Sequence, residues 1–584
     1  MKYKAAAINC EPILYEKKQN IVRQMELVKK AAKEGAKLIA LPEMATTGYC
    51  FYDRDDVKEM VEPVPGPTTE LFELIAKEYD CYIVFGMPEV DEETDLYYNT
   101  AVLVGPEGYI GKHRKTHSYI SEPKWSKQGD LDHQVFDTPI GKIGMLICMD
   151  IHFIETARLE ALAGADVIVH ISNWLAEKTP APYWITRAFD GGCYVLESNR
   201  VGLERTVQFS GGSCLINPDG TIASYAKEKD EIVYGEIDLD KARDKSYGVE
   251  TDKIGDRRPE CYKEIASNTY LWNPLDFFGL YGYDPLPKGK KSKVAVYQMK
   301  TTEDDSVDIR LSEIKEAMAE AADNGAELIV FPERALTGGD TYNQKKNNAI
   351  EENSPIYDEL IETALKYGIY AVVGLATKKE NVYYNSAALI GPEGICGIYD
   401  QVHLSEPDKL WANAGDRFSH YNTPVGRIGI MIGNDAMFSE SGRVLALQGC
   451  DFIAAPSAQS YPKPYGLDKT IQWQNYPIPM GYSLIHWHLW RARAGENNCY
   501  LAFSNYANSM TDSCFGRSGI FGPDTFAFPR TEVVLSTDKS EIGYLMIDTS
   551  NCPDSVYPTN VVRRKDLVCM RQPLWYDPII KGDE

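Results

Sequence analysis

Apolar and polar positions along this chain alternate between short strand-like runs and longer helical stretches. The clearest case runs from Gly141 to Gly164, GKIGMLICMDIHFIETARLEALAG. Its apolar run Ile143 to Ile147 predicts a buried strand. Cys148 follows at once, and after a short polar turn the spacing predicts an amphipathic helix closing at Gly164. A thiol at such a junction meets the positive end of the helix dipole, which favours thiolate over thiol. Strands are also predicted at Lys4 to Ile8 and Lys293 to Tyr297, each followed by a charged amphipathic helix and then by LIALP or LIVFP. Strands alternating with helices of about 10–15 residues predict an α/β fold.

The same pattern occurs twice. AAKEGAKLIALPE (Ala31 to Glu43) returns as AADNGAELIVFPE (Ala321 to Glu333), at an offset of 290. YYNTAVLVGPEG (Tyr97 to Gly108) returns at 286 and TPIGKIGMLI (Thr138 to Ile147) at 285. RAFDGGCYVLESN (Arg187 to Asn199) returns with Asn505 opposite Asn199, so the offset has grown to 306. About 20 residues are therefore inserted in the second copy, near Tyr461 to Gly481, and are read as a surface loop. The connector Leu286 to Lys293, LPKGKKSK, has linker composition, whereas the preceding YLWNPLDFFGLYGYDP is apolar enough to pack across a neighbouring domain.

Composition narrows the classes. A chain of 584 residues exceeds one core and predicts at least two domains. No apolar run reaches the roughly 18 residues of a membrane span, and the N-terminal apolar patch is too short for a secretory signal. These features predict a cytoplasmic protein without a membrane partner. The net charge of −24 argues against nucleic acid. Thirteen cysteines, without a CxxC pair, fit a reducing compartment. His486 and His488 form the one close histidine pair, with no cysteine or carboxylate cluster beside them, so no metal site is predicted.

In the first copy three reactive side chains sit where the chain leaves a strand-like run: Glu43 after LIALP, Lys115 in GKHRKTH and Cys148 after GMLI. Ends of neighbouring strands converge on one edge of a sheet, so such residues can share a pocket. Singly each has a bland explanation: a turn, a solvated basic face, a core cysteine. Together they resemble the carbon–nitrogen hydrolase (nitrilase) superfamily, whose active site is a Glu-Lys-Cys triad. The resemblance spans nearly the whole chain, because both copies look like complete domains of that family. It implies two tandem αββα-sandwich domains, residues 1–285 and 293–584, packed as an intramolecular pseudo-dimer, with further homo-oligomerisation left open.

The resemblance further implies roles. Glu43 in LPEMATTGY is the general base, and Cys148 in CMDIHFIETAR the nucleophile. Lys115 in HRKTH and the N–H just after Cys148 face the oxyanion, and Glu122 in SEPKWSKQGD is the second glutamate. DRRPECY (Asp256 to Tyr262) is similar to the family's domain-closing segment. The chemistry needs no cofactor: a carboxylate takes the thiol proton, the thiolate forms a covalent acyl-enzyme, and water resolves it. Tyr49, Trp125, Met149, His152 and Trp174 are candidate substrate-binding residues, with Trp184 beside them; large aromatics serve a core equally well.

Across the repeat Glu43 corresponds to Glu333, and Glu122 is matched to Glu406 in SEPDKLWANAGD. Lys115 faces Gln401, however, and Cys148 faces Gly433, while Asp435, Phe438, Glu440 and Arg443 keep the frame of Asp150, Phe153, Glu155 and Arg158. The second copy is therefore expected to be inactive by this mechanism. Its role is left between scaffold, specificity element and separate ligand site at Glu333 and Glu406. The branch is suggested by Cys-Met-Asp, which looks more like the amidase and carbamoylputrescine-hydrolase side than the Cys-Trp-Glu of nitrilases. His152 stands where carbamoyl amino-acid hydrolases tend to place an arginine. The reading is hydrolysis of a small amide or N-carbamoyl amine. Nitrile hydrolysis, acyl transfer and a non-catalytic binding or regulatory module are the alternatives.

Overall fold

The structure is a computed structural model that describes the chain except residues 176–178, 227–228, 248–250, 270–277, 281, 301–305, 461–483, 508–513, 525–529 and 583–584. The predicted insertion near Tyr461 to Gly481 and the side chains of His486 and His488 lie outside the described residues. The chain divides into two compact units. The first holds Met1–Lys245 and Leu574–Ile579, and the second the remaining described residues.

In the first unit fourteen strands run in order: β1 (Lys2–Asn9), β2 (Ala36–Ala40), β3 (Tyr82–Asp91), β4 (Leu96–Gly105), β5 (Gly108–Arg114), β6 (Val135–Thr138), β7 (Gly141–Ile147), β8 (Val167–Ser172), β9 (Tyr194–Asn199), β10 (Val201–Glu204), β11 (Val207–Ser210), β12 (Cys214–Ile216), β13 (Ile222–Tyr225) and β14 (Glu231–Asp238). One six-stranded sheet has the order β14-β1-β2-β3-β4-β5, and the other β13-β12-β9-β8-β7-β6. Each has a parallel centre, β1-β2-β3 or β7-β8-β9, with antiparallel flanks. The sheets face each other, with β1 against β9 and β3 against β8.

Helices cover the outer faces. In α1 (Lys17–Lys33) the buried residues Ile21, Gln24, Val28, Ala31 and Ala32 recur at three- and four-residue spacing. In α2 (Pro67–Tyr79) a proline stands in the first turn and Asp80, left-handed, ends the helix. Ala6, Ile8, Val28, Ile39, Phe72, Phe85 and Val102 join these helices to the first sheet. On the second sheet α3 (Ile154–Leu162) packs against α4 (Pro182–Gly191). The result is the four-layer αββα sandwich that the resemblance implied.

The helix after Cys148 departs from expectation. It is not amphipathic: every residue of α3 from Ile154 to Ala161 is buried. Its polar side chains are used internally. Thr156 Oγ1 donates to Asp150 O at 2.8 Å, Arg158 Nη1 to Asp190 O at 3.1 Å, and Glu160 Oε1 accepts from Met145 N–H at 3.1 Å.

The second unit repeats the architecture, with sheets in the same strand order around the parallel centres Lys291–Gln298, Leu328–Val330, Tyr370–Lys379 and Gly426–Ile430, Phe452–Pro456, Tyr500–Ser504. It also holds the segment from Ser246 to the linker, so the first unit ends well short of residue 285, the expected boundary. The cause is pairing inside the second unit. Arg257 of DRRPECY donates to Glu440 Oε1 at 2.9 Å, Arg258 to Val402 O at 3.1 Å, and Phe278 of the aromatic stretch lies under Arg427. Among the described residues no helix is long and apolar enough to cross a membrane, and no group of three His, Cys, Asp or Glu is placed to hold a metal ion. All thirteen cysteines are free thiols.

Candidate active site

Three strand ends build the site. Glu43 lies three residues beyond β2, where β3 passes so closely that a Cβ on Gly86 would sit 2.6 Å from the Glu43 Cα. Only glycine permits that approach. Lys115 follows the last residue of β5, and Cys148 the last residue of β7. Glu122 opens a short 3-10 turn, Glu122–Lys124.

These side chains meet directly. Lys115 Nζ donates to Glu43 Oε1 at 2.8 Å and to Glu122 Oε1 at 2.7 Å. All three residues are essentially fully buried. Glu43 Oε2 accepts the main-chain N–H of Asn173 at 2.7 Å, and Glu122 Oε2 that of Tyr119 at 2.8 Å. Asn99 on β4 donates to both carboxylates, at 2.6 Å to Glu43 and 3.1 Å to Glu122. Sequence reasoning missed Asn99, although YYN is kept in both copies. Its amide bridges two like charges that would otherwise repel across one ammonium.

The electrostatics follow from burial. Desolvation disfavours the Lys115 ammonium, but Glu122 and Glu43 outweigh it and hold the group well above its ordinary range. Desolvation raises the Glu122 carboxyl to about 7, against the pull of Lys115. Cys148 is pushed well above the ordinary thiol range, first by burial and then by the Glu43 charge. The expected thiolate at a helix N-terminus is thus corrected. Cys148 begins a five-residue 3-10 turn, Cys148–His152, and α3 starts only at Ile154, so no long helix points its dipole at the sulfur. Burial and the Glu43 charge both favour the neutral thiol at Cys148.

Cys148 also carries backbone strain, with φ +45°. A left-handed side-chain residue costs roughly 1–2 kcal/mol and persists only where its surroundings enforce it. Asp150 enforces it here. Its carboxylate accepts the N–H groups of Ile147, Thr116 and His117 and meets the His113 and His117 rings, pinning the turn to the strand of Lys115.

The expected pocket walls separate by position. Tyr49 lies 5.9 Å below Lys115 Nζ, and the charges of Glu122, Glu43 and Cys148 add to burial in raising its phenol. Trp125 shares an apolar cluster with Tyr49. His152 stacks on Trp174 at 4.7 Å and is held neutral, its pKa lowered to about 3 by burial and then by Arg187. Met149 is buried beside Cys148, and Trp184 packs edge-on against Trp174 at 5.2 Å, further into the core. Asn173 was not foreseen. It adjoins Glu43 and the thiol, and neither end of its buried amide has a hydrogen-bond partner among the described residues.

The second copy keeps the frame and changes the charges. Asp435 accepts from Ile432 N–H and His403, and Arg443 donates to Glu496 O, as Asp150 and Arg158 do in the first copy. Gly433 keeps the left-handed turn, at φ +42°. Gln401 donates to Ile432 O at 3.0 Å. Glu333 instead takes a partly buried cation from its own neighbour, Arg334, whose guanidinium also approaches Asp408 at 3.8 Å. The matching of Glu406 to Glu122 is corrected. Trp411 N–H bonds Asp408 O as Trp125 N–H bonds Glu122 O, so Asp408 is the counterpart, while Glu406 is exposed and paired with Lys409. Two extra residues in SEPDKLW displaced the shared SEP motif from the structural equivalence.

Known proteins share this plan. The carbon-nitrogen hydrolase family model matches residues 4–247 and again 293–552. A nitrilase from Pyrococcus abyssi is 40% identical over 261 residues, covering 44% of this chain and 98% of that protein. An omega-amidase from Xenopus laevis is 33% identical over 241 residues, covering 38% and 84%. Among solved structures, Nit3 of Saccharomyces cerevisiae, a member of branch 10 of the nitrilase superfamily, is 28% identical with a TM-score of 0.38, covering 41% of this chain and 92% of that one. With two matches that together span most of its length, the chain belongs to the carbon-nitrogen hydrolase family, once in each repeat.

Proposed function

We propose that the first unit hydrolyses the C–N bond of a small amide or N-carbamoyl amine through an acyl-enzyme on Cys148. The observation that carries this reading is the Lys115 ammonium held between the buried carboxyl groups of Glu43 and Glu122, beside the Cys148 side chain. The similarity to an omega-amidase supports the amide class.

The residues divide the work as follows. Glu43 takes the Cys148 proton as sulfur attacks the carbonyl carbon, forming a C–S bond and an oxyanion. Lys115 and the Met149 N–H stabilise that oxyanion. The C–N bond breaks as Glu43 returns the proton to the leaving amine. Water then gives a proton to Glu43, attacks the thioester and releases the acid, and the proton returns to sulfur. Glu122 holds Lys115 in place throughout. Tyr49, Trp125 and Trp174 form the apolar wall and His152 buttresses Trp174, while the unpartnered amide of Asn173 hydrogen-bonds the substrate.

The test is turnover of a panel of primary amides, N-carbamoyl amines and nitriles, with intact mass read for an adduct on Cys148. Ammonia without carbon dioxide from an amide member identifies an amidase, and ammonia with carbon dioxide a carbamoyl substrate. Activity on nitriles alone, or no adduct at Cys148, would sink the proposal. Asn173→Ala is expected to raise KM about tenfold with kcat little changed.

A further inference from the structure

Next to the nucleophile lies a buried ionisable pair that the mechanism above does not use. His170 on β8 and Glu197 on β9 are direct partners in the parallel register, and both are fully buried. His170 Nε2 lies 3.0 Å from the carbonyl oxygen of Cys148. A carbonyl only accepts, so this nitrogen carries a proton and donates it. His170 Nδ1 meets Glu197 Oε2 in a short hydrogen bond, and Ser172 Oγ donates to Glu197 Oε1. Trp174 and Trp184 pack against the imidazole as a pair, each ring steeply inclined to it at 6.0 Å. A continuous chain therefore runs from Ser172 through Glu197 and His170 to the nucleophile's own peptide group.

The fold does not require this pair. In the second copy the same register places Ala455 opposite Phe503, and Phe503 stacks on Trp490 at 4.2 Å. The strand register and the asparagine that follows it are kept, although Gln459 stands in place of Trp174. Asn199 accepts from Trp174 N–H at 2.8 Å, and Asn505 from Gln459 N–H at the same distance. Burying a histidine and a carboxylate costs several kcal/mol in desolvation that an apolar pair avoids. The costly pair stands only where Cys148 stands.

We propose that His170, oriented by Glu197, is a positioning residue for Cys148 that acts through the Cys148–Met149 peptide. The inference rests on Cys148 as nucleophile. By donating to the carbonyl it holds the left-handed turn, and it polarises a planar unit whose other end is the Met149 N–H. That N–H becomes a stronger donor to the oxyanion. The dyad therefore assists steps that build an oxyanion and not those that merely use the sulfur.

Two probes separate these cases. With 4-nitrophenyl acetate the Cys148 sulfur forms a C–S bond through an oxyanion, the C–O bond breaks, 4-nitrophenolate leaves, and the thiol proton passes by way of Glu43 to solvent. With iodoacetamide a C–S bond forms as the C–I bond breaks and iodide leaves, with no oxyanion; the proton takes the same route. Each rate is read on the Cys148 peptide by mass, against Cys148→Ala. The double variant His170→Ala/Glu197→Phe installs the pair that the second copy already packs, and the isosteric Glu197→Gln serves if the double variant does not fold. The expected result is a fall of about 10- to 100-fold in acetylation, less than outright loss of an oxyanion donor, with alkylation changed less than about threefold. Equal falls with both probes, or no fall in acetylation, would overturn the dyad's role while leaving the nucleophile reading intact. Failure of both probes to modify Cys148 in the unaltered protein would overturn that reading, and the dyad with it.

Discussion

The two repeats answer one electrostatic problem differently. In the first, Lys115 reaches from its own strand end and is shared by Glu43 and Glu122. In the second, Arg334 stands next to Glu333 in sequence and pairs with it, with Asp408 behind. Both solutions neutralise a buried glutamate, which is what the fold demands. Only the first leaves the cation beside a thiol. The difference teaches that the charge balance belongs to the architecture, whereas the placement of the cation belongs to the chemistry.

The comparison breaks most sharply if Lys115→Gln, which copies Gln401, retains activity. Turnover of the identified amide is expected to fall at least about 10³-fold, because a neutral amide cannot carry the ammonium's role. Thermal unfolding should also show a loss of about 3–5 kcal/mol from two carboxylates left without their cation.

A pH series sharpens the same contrast. Glu122 ionises near its ordinary 4.5 when unfolded but at about 7 when folded. Between those values the folded state binds the extra proton, so the stability contributed by this group is fully present below 4.5 and is lost as pH rises through 7. Urea unfolding of the parent protein should therefore weaken over that interval relative to Glu122→Gln, by on the order of 2 kcal/mol. Parallel curves for the two proteins would contradict the raised carboxyl.

Effects in the second repeat are smaller. Glu333→Gln is expected to leave turnover within about twofold, while costing about 1–3 kcal/mol as Arg334 loses a charged partner. A large loss of activity would show that the second repeat takes part in the reaction. The smallest change in stability is expected at Cys148→Gly, which loses turnover outright yet gains about 1 kcal/mol because glycine tolerates the left-handed turn. A calorimetric melt decides this.

Much of the site was legible because it lies at strand ends. Glu43 and Cys148 each follow an apolar run and Lys115 follows a strand end, and the repeat showed which of them one copy lacks. Four things were not legible. The counterpart of Glu122 was misplaced, because a shared SEP motif drew the alignment while the backbone turn ending at Trp411 followed Asp408. The thiol's protonation was misjudged, because local sequence shows the nearby helix but not the burial and the carboxylate delivered from other strands. The His170–Glu197 pair is defined by register between parallel strands 27 residues apart, and no local periodicity marks such a pairing. Asn173 escaped notice for a related reason: a lone asparagine after a strand reads as a turn until its amide is seen to be buried without a partner.

The left-handed turn shared by Cys148 and Gly433 separates the frame from what it carries. A torsion that is expensive for a side chain costs glycine little, and the same carboxylate-held turn forms around Asp150 in one repeat and around Asp435 in the other. The main chain at this position is set by the carboxylate behind it and is indifferent to the residue in front.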